Sequence, residues 1–599
     1  MKISVKPASL HDPSPLPPKG DAPLRVAARI ACVAAVVLVG MAFRESSIEA
    51  QDADDPVVEQ PRLETIPTEI AGPPIKVEII PTPPGVPAQQ DSVPEEMSET
   101  EQPETPQIAA SDASAKQPTP GQGTGDSDGS AAGAAQSVGP ENYRDWPTPD
   151  LTLVITGNQH GYIEPCGCTG LDNQKGGVAR RYTFLKQLRD DGWNVAPIDA
   201  GNQVRRFGRQ AEIKFQRTAE ALKQMQYDAV GFGPEDVRLG VGELISVAAS
   251  ESAEDALYVS ANVVLLDPSL MPQHKVIDRG GIRVGMTSIL DPESLEASLS
   301  DEMILEPMVA AAKKSLEAIL AESPNFKVLT FFGTEKAAEN LVRQVPGFDV
   351  VVVSGGYGEP TYQMQVIENS ETKMIVTGNK AMYVGLVGLY KNSPAKYCRL
   401  PMTHEIPDAP EMRKLMADYQ FQLRDLGLEA LGLKPIPPPS GRMYVGSEAC
   451  GKCHTTAFDI WENTPHAHAT DSLVHPGERG DVPRHFDPEC ISCHVTGWNP
   501  QGFYPYVSGY LSLEGTPHLA AAGCEGCHGP GAEHAAAEEA GSTVSEAKRV
   551  QLRDGMRLLY EDAREKCMEC HDLDNSPDFH IEDAFEDEYW PQVEHYGLD

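Results

Sequence analysis

From residue 150 onward, short apolar runs rich in β-branched residues alternate with stretches of helical period. LTLVIT (151–156), NVAPIDAG (194–201), YDAVGFG (227–233), YVSANVV (258–264), RVGMTSI (283–289), KVLTFFG (327–333) and FDVVVVSGG (348–356) read as strands. Helical stretches around 178–190 and 213–225, and between most later runs, separate them. This alternation predicts an α/β domain over 149–404 with a largely parallel or mixed sheet, whose functional loops lie at strand C-terminal ends. A further helical stretch (409–428) runs into KPIPPPS (434–440), so 405–440 reads as a proline-stiffened connector. Beyond 441 long apolar helices are scarce, and Gly, Ala, Glu and His are common.

The first 150 residues have a different texture. Lys2, Lys6, Lys19, Arg25 and Arg29 precede an uncharged apolar run, 30–43, closed by Arg44. Fourteen helical residues span about 21 Å, short of a bilayer core of about 30 Å. Residues 1–50 therefore read as a signal peptide or a tilted N-terminal membrane anchor, and the rest as exported to an extracytoplasmic, periplasmic location. Residues 51–140 hold fifteen prolines, sixteen acids, three bases and no Phe, Trp or Tyr. Such a stretch buries too little apolar surface to offset chain ordering, so 51–148 is expected to be a disordered, self-repelling linker.

Charge narrows the partners. The 599 residues carry 88 acids against 49 Lys and Arg, a formal charge of −39. So acidic a chain argues against nucleic acid or an anionic membrane surface as partner, and a basic protein partner, or none, fits better. Twelve cysteines are present. Eight of them fall in one repeated pentad.

CGKCH (450–454), CISCH (490–494), CEGCH (524–528) and CMECH (567–571) recur at intervals of 40, 34 and 43 residues. Each is Cys-x-x-Cys-His, the attachment pattern of c-type haem. Two thiols three positions apart on one helical turn reach two vinyl groups of a porphyrin, and the adjacent imidazole reaches its iron. Zinc sites do not require His after every second Cys, and a disulfide framework would not repeat one pentad four times. The reading is four covalently bound haem c groups. They are held by Cys450, Cys453, Cys490, Cys493, Cys524, Cys527, Cys567 and Cys570, with His454, His494, His528 and His571 as proximal ligands. At about 40 residues per haem the protein core is thin, and the porphyrins must supply much of the buried surface. Eight more histidines in 441–599 are candidate sixth ligands: His466, His468, His475, His485, His518, His534, His580 and His595. Bis-histidine ligation favours electron transfer over chemistry, whereas a five-coordinate iron would leave room for a small molecule.

Two family resemblances add to this. GSEACGKCH with Trp461 and TPHAHA, then CISCHVTGW and GCEGCHGPGAEH, resemble the tetrahaem cytochrome c-554 family over most of 441–571. The resemblance implies His466 and His534 as distal ligands to other haems, with His468 a near alternative to His466. Upstream, HGYIEPCGC (160–168), GGVARR (176–181), IDAGN (198–202), YDAVGFGPED (227–236), PGFDVVVVSGG (346–356) and TGNKAMYVGLVGL (377–389) resemble the metallophosphoesterase domain of the 5′-nucleotidase family. That resemblance implies two mixed sheets between helices and two metal ions at the strand ends. The ligand positions depart from the family, however. Asn158 replaces the first Asp, while His160 remains. Asn202 stands for an Asp, Pro234-Glu235 for Asn-His, Phe332 or Gly333 for a His, and Tyr357-Gly358-Glu359 for His-x-His. His160, Asp199 and Glu235 are left to hold one weak ion at best. A two-metal hydrolytic site needs several anionic or imidazole ligands, so no catalytic residue is expected here. Cys166 and Cys168 beside that loop suit a ligand or redox role, or plain loop positions. Cys398 leaves an odd thiol.

The expected architecture is thus a multidomain chain: an α/β metallophosphoesterase-like sandwich followed by a mostly α, loop-rich multihaem domain. The expected function is electron transfer with redox proteins. The alternatives are a haem enzyme acting on a small nitrogen or sulfur compound at an open iron, or an active metallophosphoesterase.

Overall fold

In the computed structural model, residues 142–595 are described, apart from 166–169, 171–172, 207, 251, 253, 297–298, 357–358 and 478–481. The expected export segment, nearly all of the linker, Cys166, Cys168 and Tyr357 lie outside the described residues. Among the described residues no helix is long and apolar enough to cross a membrane.

The α/β part holds two larger sheets. The first is formed by β1 (Leu151–Thr156), β2 (Val195–Asp199), β3 (Ala229–Val230), β12 (Tyr383–Leu389) and β13 (Lys396–Pro401), in the order β13-β12-β1-β2-β3. β1, β2 and β3 run parallel, and β12 joins β1 antiparallel. The second contains β5 (Lys275–Arg279), β6 (Ile282–Leu290), β8 (Phe326–Phe332), β9 (Val350–Ser354), β10 (Gln365–Val366) and β11 (Lys373–Val376). Its order is β10-β11-β9-β8-β6-β5, parallel through its centre from β6 to β11.

Strand period two explains the layering. Leu151, Leu153 and Ile155 of β1 face Val284, Met286, Val328, Val350 and Val352 in one core between the sheets. The opposite face of the first sheet, with Val154, packs on helices 178–190 and 209–224. The outer face of the second sheet, with Leu329, Phe331, Val351 and Val353, packs on helices 308–321 and 335–344. The result is a helix–sheet–sheet–helix sandwich. The ends of the sheets meet closely at Gly157, where a Cβ would stand 2.8 Å from Ser354 Oγ and 3.1 Å from Ala200 Cβ.

One expectation is corrected. Of the run 258–264, only its end lies in a strand, β4 (Val263–Leu265), paired with β7 (Met303–Leu305). Tyr258 makes only an isolated bridge to Val230, and buried Asn262 then breaks the run: its amide donates to Leu290 O at 2.7 Å and accepts from Leu290 N at 3.0 Å. The connector 405–440 also contributes to the core. Its helix, Pro410–Ala430, buries Met412, Leu415, Met416, Tyr419 and Leu423 in the core shared with helices 178–190 and 209–224. Apolar positions at helical spacing make that face a packing surface.

Residues 441–595 form short helices and loops with two small apolar clusters. Leu473, Ile491, Val495, Trp498, Tyr510 and Leu519 make one, and Ala563, Phe579 and Phe585 the other. This segment and the sandwich belong to one unit, 137–599.

Candidate functional site

The strand ends of the sandwich come first. Asn158 and Asn202 both take left-handed backbone conformations, at φ 48° and 68°, which Asn tolerates better than most residues. Asn202 Nδ2 donates to Asn158 Oδ1 at 2.8 Å, and Asn158 Nδ2 donates to Asn379 Oδ1 at 3.0 Å. The amides of Asn202, Asn158 and Asn379 thus form one hydrogen-bonded chain. Asp236 is fully buried and accepts from the backbone N–H groups of Asn202, Gln203, Val204 and Gly233 at 2.7–3.2 Å. Burial nevertheless pushes its carboxyl up to about 7. Asp199 accepts from Thr156 Oγ1 at 2.6 Å, Gly201 N at 2.8 Å and Gln203 Nε2 at 2.7 Å, and burial raises it too. Glu235 pairs with Arg238 at 3.2 Å. Glu359 accepts from Tyr383 and pairs with Arg399 at 2.9 Å.

His160 stands apart, at φ 54°. Burial, then the charges of Arg205 and Lys380, lower its pKa to about 4. His160, Asp199 and Glu235 are therefore not brought together around one ion. Among the described residues no three metal-ligating side chains converge. Amides paired with amides, and carboxylates occupied by backbone donors, do not fit a pair of dications.

His160 instead lines a cavity of about 580 Å³ between the sandwich and the C-terminal segment. The sandwich contributes Glu164, Arg205, Arg206, Lys214 and Lys380; the C-terminal segment contributes Cys490, Cys493, His494, Cys570 and several acids. Ion pairs cross between the two. Lys214 Nζ lies 2.5 Å from Glu489 Oε2, Arg206 lies 3.3 Å from Glu489, and Lys380 lies 2.8 Å from Asp574. Arg205 lies 3.9 Å from Asp574, and Arg484 pairs with Glu164. Gln210 and Gln420 donate to the buried carboxylate of Asp487 at 2.7 and 2.9 Å.

Two pentads lie within short helices, Pro488–His494 and Cys524–His528. The other two begin near the ends of Ser447–Gly451 and Tyr560–Met568 and run into the turns that follow. The backbone N–H groups of His454 and His571 bond to the carbonyls of Cys450 and Cys567, both at 2.9 Å, so each pair of thiols and its imidazole share one face. The second pentad is started by Asp487, which caps Glu489 N, and by Pro488 in the first turn.

Imidazoles then pair across the segment. His454 faces His534 with ring centroids 6.3 Å apart, His571 faces His466 at 6.0 Å, and His528 faces His595 at 5.8 Å. A metal–imidazole bond is about 2 Å, so two rings on opposite sides of one ion stand roughly 6 Å apart. Second-atom bonds orient four of the segment's rings as iron ligands require, whereas the buried Nδ1 of His534 has no hydrogen-bond partner among the described residues. His528 Nδ1 donates to Met556 O, His595 Nδ1 to Val593 O and His494 Nδ1 to Ala469 O, at 2.7–2.8 Å, and His571 Nδ1 bonds Ser576 Oγ at 3.0 Å. In each case Nε2 is left for the metal. These residues fit covalent haem c.

The other histidines are placed elsewhere. The side chain of His468 is 66% exposed and lies 3.9 Å from Asp471. His475 and His518 are exposed. His485 packs on Phe486, and His580 bonds His571 O at 2.8 Å. In the sequence His595 is one undistinguished candidate among eight; its sole signal is a position beyond the last pentad, where chain is left to return. Thiols of different pentads also interact: Cys450 with Cys524, and Cys570 with Cys493. Cys527 and Cys567 are close enough to interact electrostatically. Cys398 is buried on β13.

Comparisons with known proteins agree with this division. The sequence model of the family described as "Cytochrome c554 and c-prime" matches residues 449–529. Cytochrome c-554 of Nitrosomonas europaea is 27% identical over 144 residues, 21% of this chain and 57% of that protein. 5′-Nucleotidase of Rattus norvegicus is 28% identical over 229 residues, 35% of this chain and 39% of that protein. The chain thus spans only part of the length of each relative. Among solved structures, a 5′-nucleotidase precursor from Thermus thermophilus aligns over 54% of this chain and 66% of its own, at 20% identity and a TM-score of 0.39. The C-terminal segment therefore resembles cytochrome c-554, and the folded region before it resembles 5′-nucleotidases.

Proposed function

We propose that this chain is an extracytoplasmic electron-transfer protein carrying four covalent haem c groups, joined to a non-hydrolytic relative of the 5′-nucleotidases. The observation that carries the reading is the three imidazole pairs, each about 6 Å apart and each joining a pentad histidine to a histidine from a distant stretch. His454 with His534, His571 with His466, and His528 with His595 are the axial pairs. Haem of this kind passes single electrons through its iron, and filling both axial positions favours that use. The interactions of Cys450 with Cys524, Cys527 with Cys567, and Cys570 with Cys493 support a serial arrangement of the attachments: first, third, fourth, second. The formal charge of −39 favours basic redox proteins as partners.

The hydrogen-bonded amides of Asn158, Asn202 and Asn379 support loss of hydrolysis. The test is direct. Intact mass of the exported protein should show four haems that survive acid–acetone extraction. The same protein with Mn²⁺, Zn²⁺ or Co²⁺ should not turn over nucleotides. Fewer than four retained haems, or hydrolysis near ~1 s⁻¹, an ordinary enzyme rate, would overturn the corresponding half.

A further inference from the structure

The sandwich presents its strand-end loops to the pentad that carries Cys490, Cys493 and His494, and the cavity between them is lined by both. We propose that this face of the sandwich is the second wall of the pocket for the haem attached at Cys490 and Cys493, and that its basic residues, Arg205, Arg206 and Lys380, supply the counter-charge to that haem. This rests on the reading above that the pentads bind haem.

The arrangement of charge is one-sided. On the sandwich wall stand Arg205, Arg206, Lys214 and Lys380, with Glu164 as the acidic residue and already paired with Arg484. The C-terminal wall presents Asp487, Glu489, Asp572 and Asp574. Of these, Glu489 and Asp574 form the ion pairs to the sandwich wall, so two carboxylates share four cations. Asp487 and Asp572 are occupied by amide donors, from Gln210 and Gln420 and from Asn575. With Arg484, five cations and five carboxylates line the cavity, so charge is balanced in number but divided between the two walls. Arg205 stands 3.9 Å from Asp574, the longest of the ion pairs across the cavity, with 45% of its side chain exposed, and its guanidinium can therefore take a propionate as well. Lys380 has 5% of its side chain exposed, and the Arg206 guanidinium packs 3.1 Å from the Phe503 ring centroid. A cavity of 580 Å³ is of the size that takes a cofactor.

This also gives the vestigial face a role. The tight strand-end geometry at Gly157, Asn158 and Asn202 carries His160 and the basic residues to the cavity edge. The sandwich acts on the redox site by electrostatics. Positive charge beside an iron stabilises its reduced state and raises its potential.

The experiment is a redox titration of the full-length, haem-loaded protein, followed by absorbance. Arg205→Gln with Lys380→Gln should make one haem about three- to tenfold harder to reduce, where tenfold is about 59 mV for one electron. The other midpoints should stay in place. Arg205→Lys with Lys380→Arg should restore the original value, which a loss of packing alone would not predict. Arg343→Gln, at an exposed pair with Glu339, should move no midpoint. In a Cys490→Ser, Cys493→Ser background the charge-removing pair should shift nothing. A full haem complement with every midpoint unchanged in the Gln variants would overturn the shared wall and leave the electron-transfer reading standing. A purified protein without covalent haem would overturn that reading, and the wall with it.

Discussion

His595 faces His528 with ring centroids 5.8 Å apart, and each ring turns its Nδ1 to a carbonyl, of Val593 and Met556 respectively. The proposed function makes these two rings the axial ligands of one haem iron. His595→Ala should convert one low-spin haem to high-spin or to a form that takes an added ligand. His468→Ala, at an exposed position, should change neither spin state nor titration. Electron paramagnetic resonance of the oxidised protein reads both. Unchanged low-spin signals in the His595 variant would remove it from the axial set.

Lys214 and Glu489 hold the sandwich to the haem-bearing segment at 2.5 Å, with the lysine side chain 9% exposed. Lys214→Met leaves Glu489 with Arg206 alone. The loss should be about 1–3 kcal/mol, below the figure for a fully buried pair because Glu489 is partly solvated. Paired with Glu489→Gln in a double-mutant cycle on the full chain, a coupling of about 1 kcal/mol or more is expected. Strict additivity would contradict the contact.

His160 gives a pH dependence. Burial and the neighbouring Arg205, Lys380 and Arg206 hold it at about 4, opposed by Asp574, against about 6.5 when unfolded. The unfolded chain therefore binds more protons between those values, so stability falls as pH drops from about 6.5 to about 4. The loss attributable to this residue is at most about 3 kcal/mol. His160→Gln should flatten that part of the stability–pH curve measured by denaturant unfolding. An unchanged slope would show that the imidazole titrates normally.

Leu423 is fully buried in the core that helix 410–430 shares with the sandwich. Leu423→Ala should cost about 2–5 kcal/mol, the range for truncating a buried Leu. A loss below about 1 kcal/mol, outside that range, would count against this packing.

Much of this is legible in the sequence where the signal is local. The pentads are local, and so are β1, whose six residues alternate between two cores, and helix 178–190. Asn158 and Asn202 can be seen to stand where the resembled family has carboxylates, but not to bond to one another, because residues 158, 202 and 379 meet only when β1, β2 and the loop before β12 are in place. His466 and His534 are reached through resemblance. His595 is not distinguishable, since nothing within its own stretch marks the turn that brings it to His528. The run 258–264 misleads because apolar periodicity ignores a side chain such as Asn262, whose amide bonds to Leu290 and breaks the run. The cross-domain ion pairs leave no trace in either partner's neighbourhood.

The buried carboxylate of Asp236 accepts from the backbone N–H groups of Asn202, Gln203, Val204 and Gly233. One side chain thus ties the loop after β2 to the loop after β3. Its removal would strand four buried donors together, so these two loops should loosen as one unit and not residue by residue.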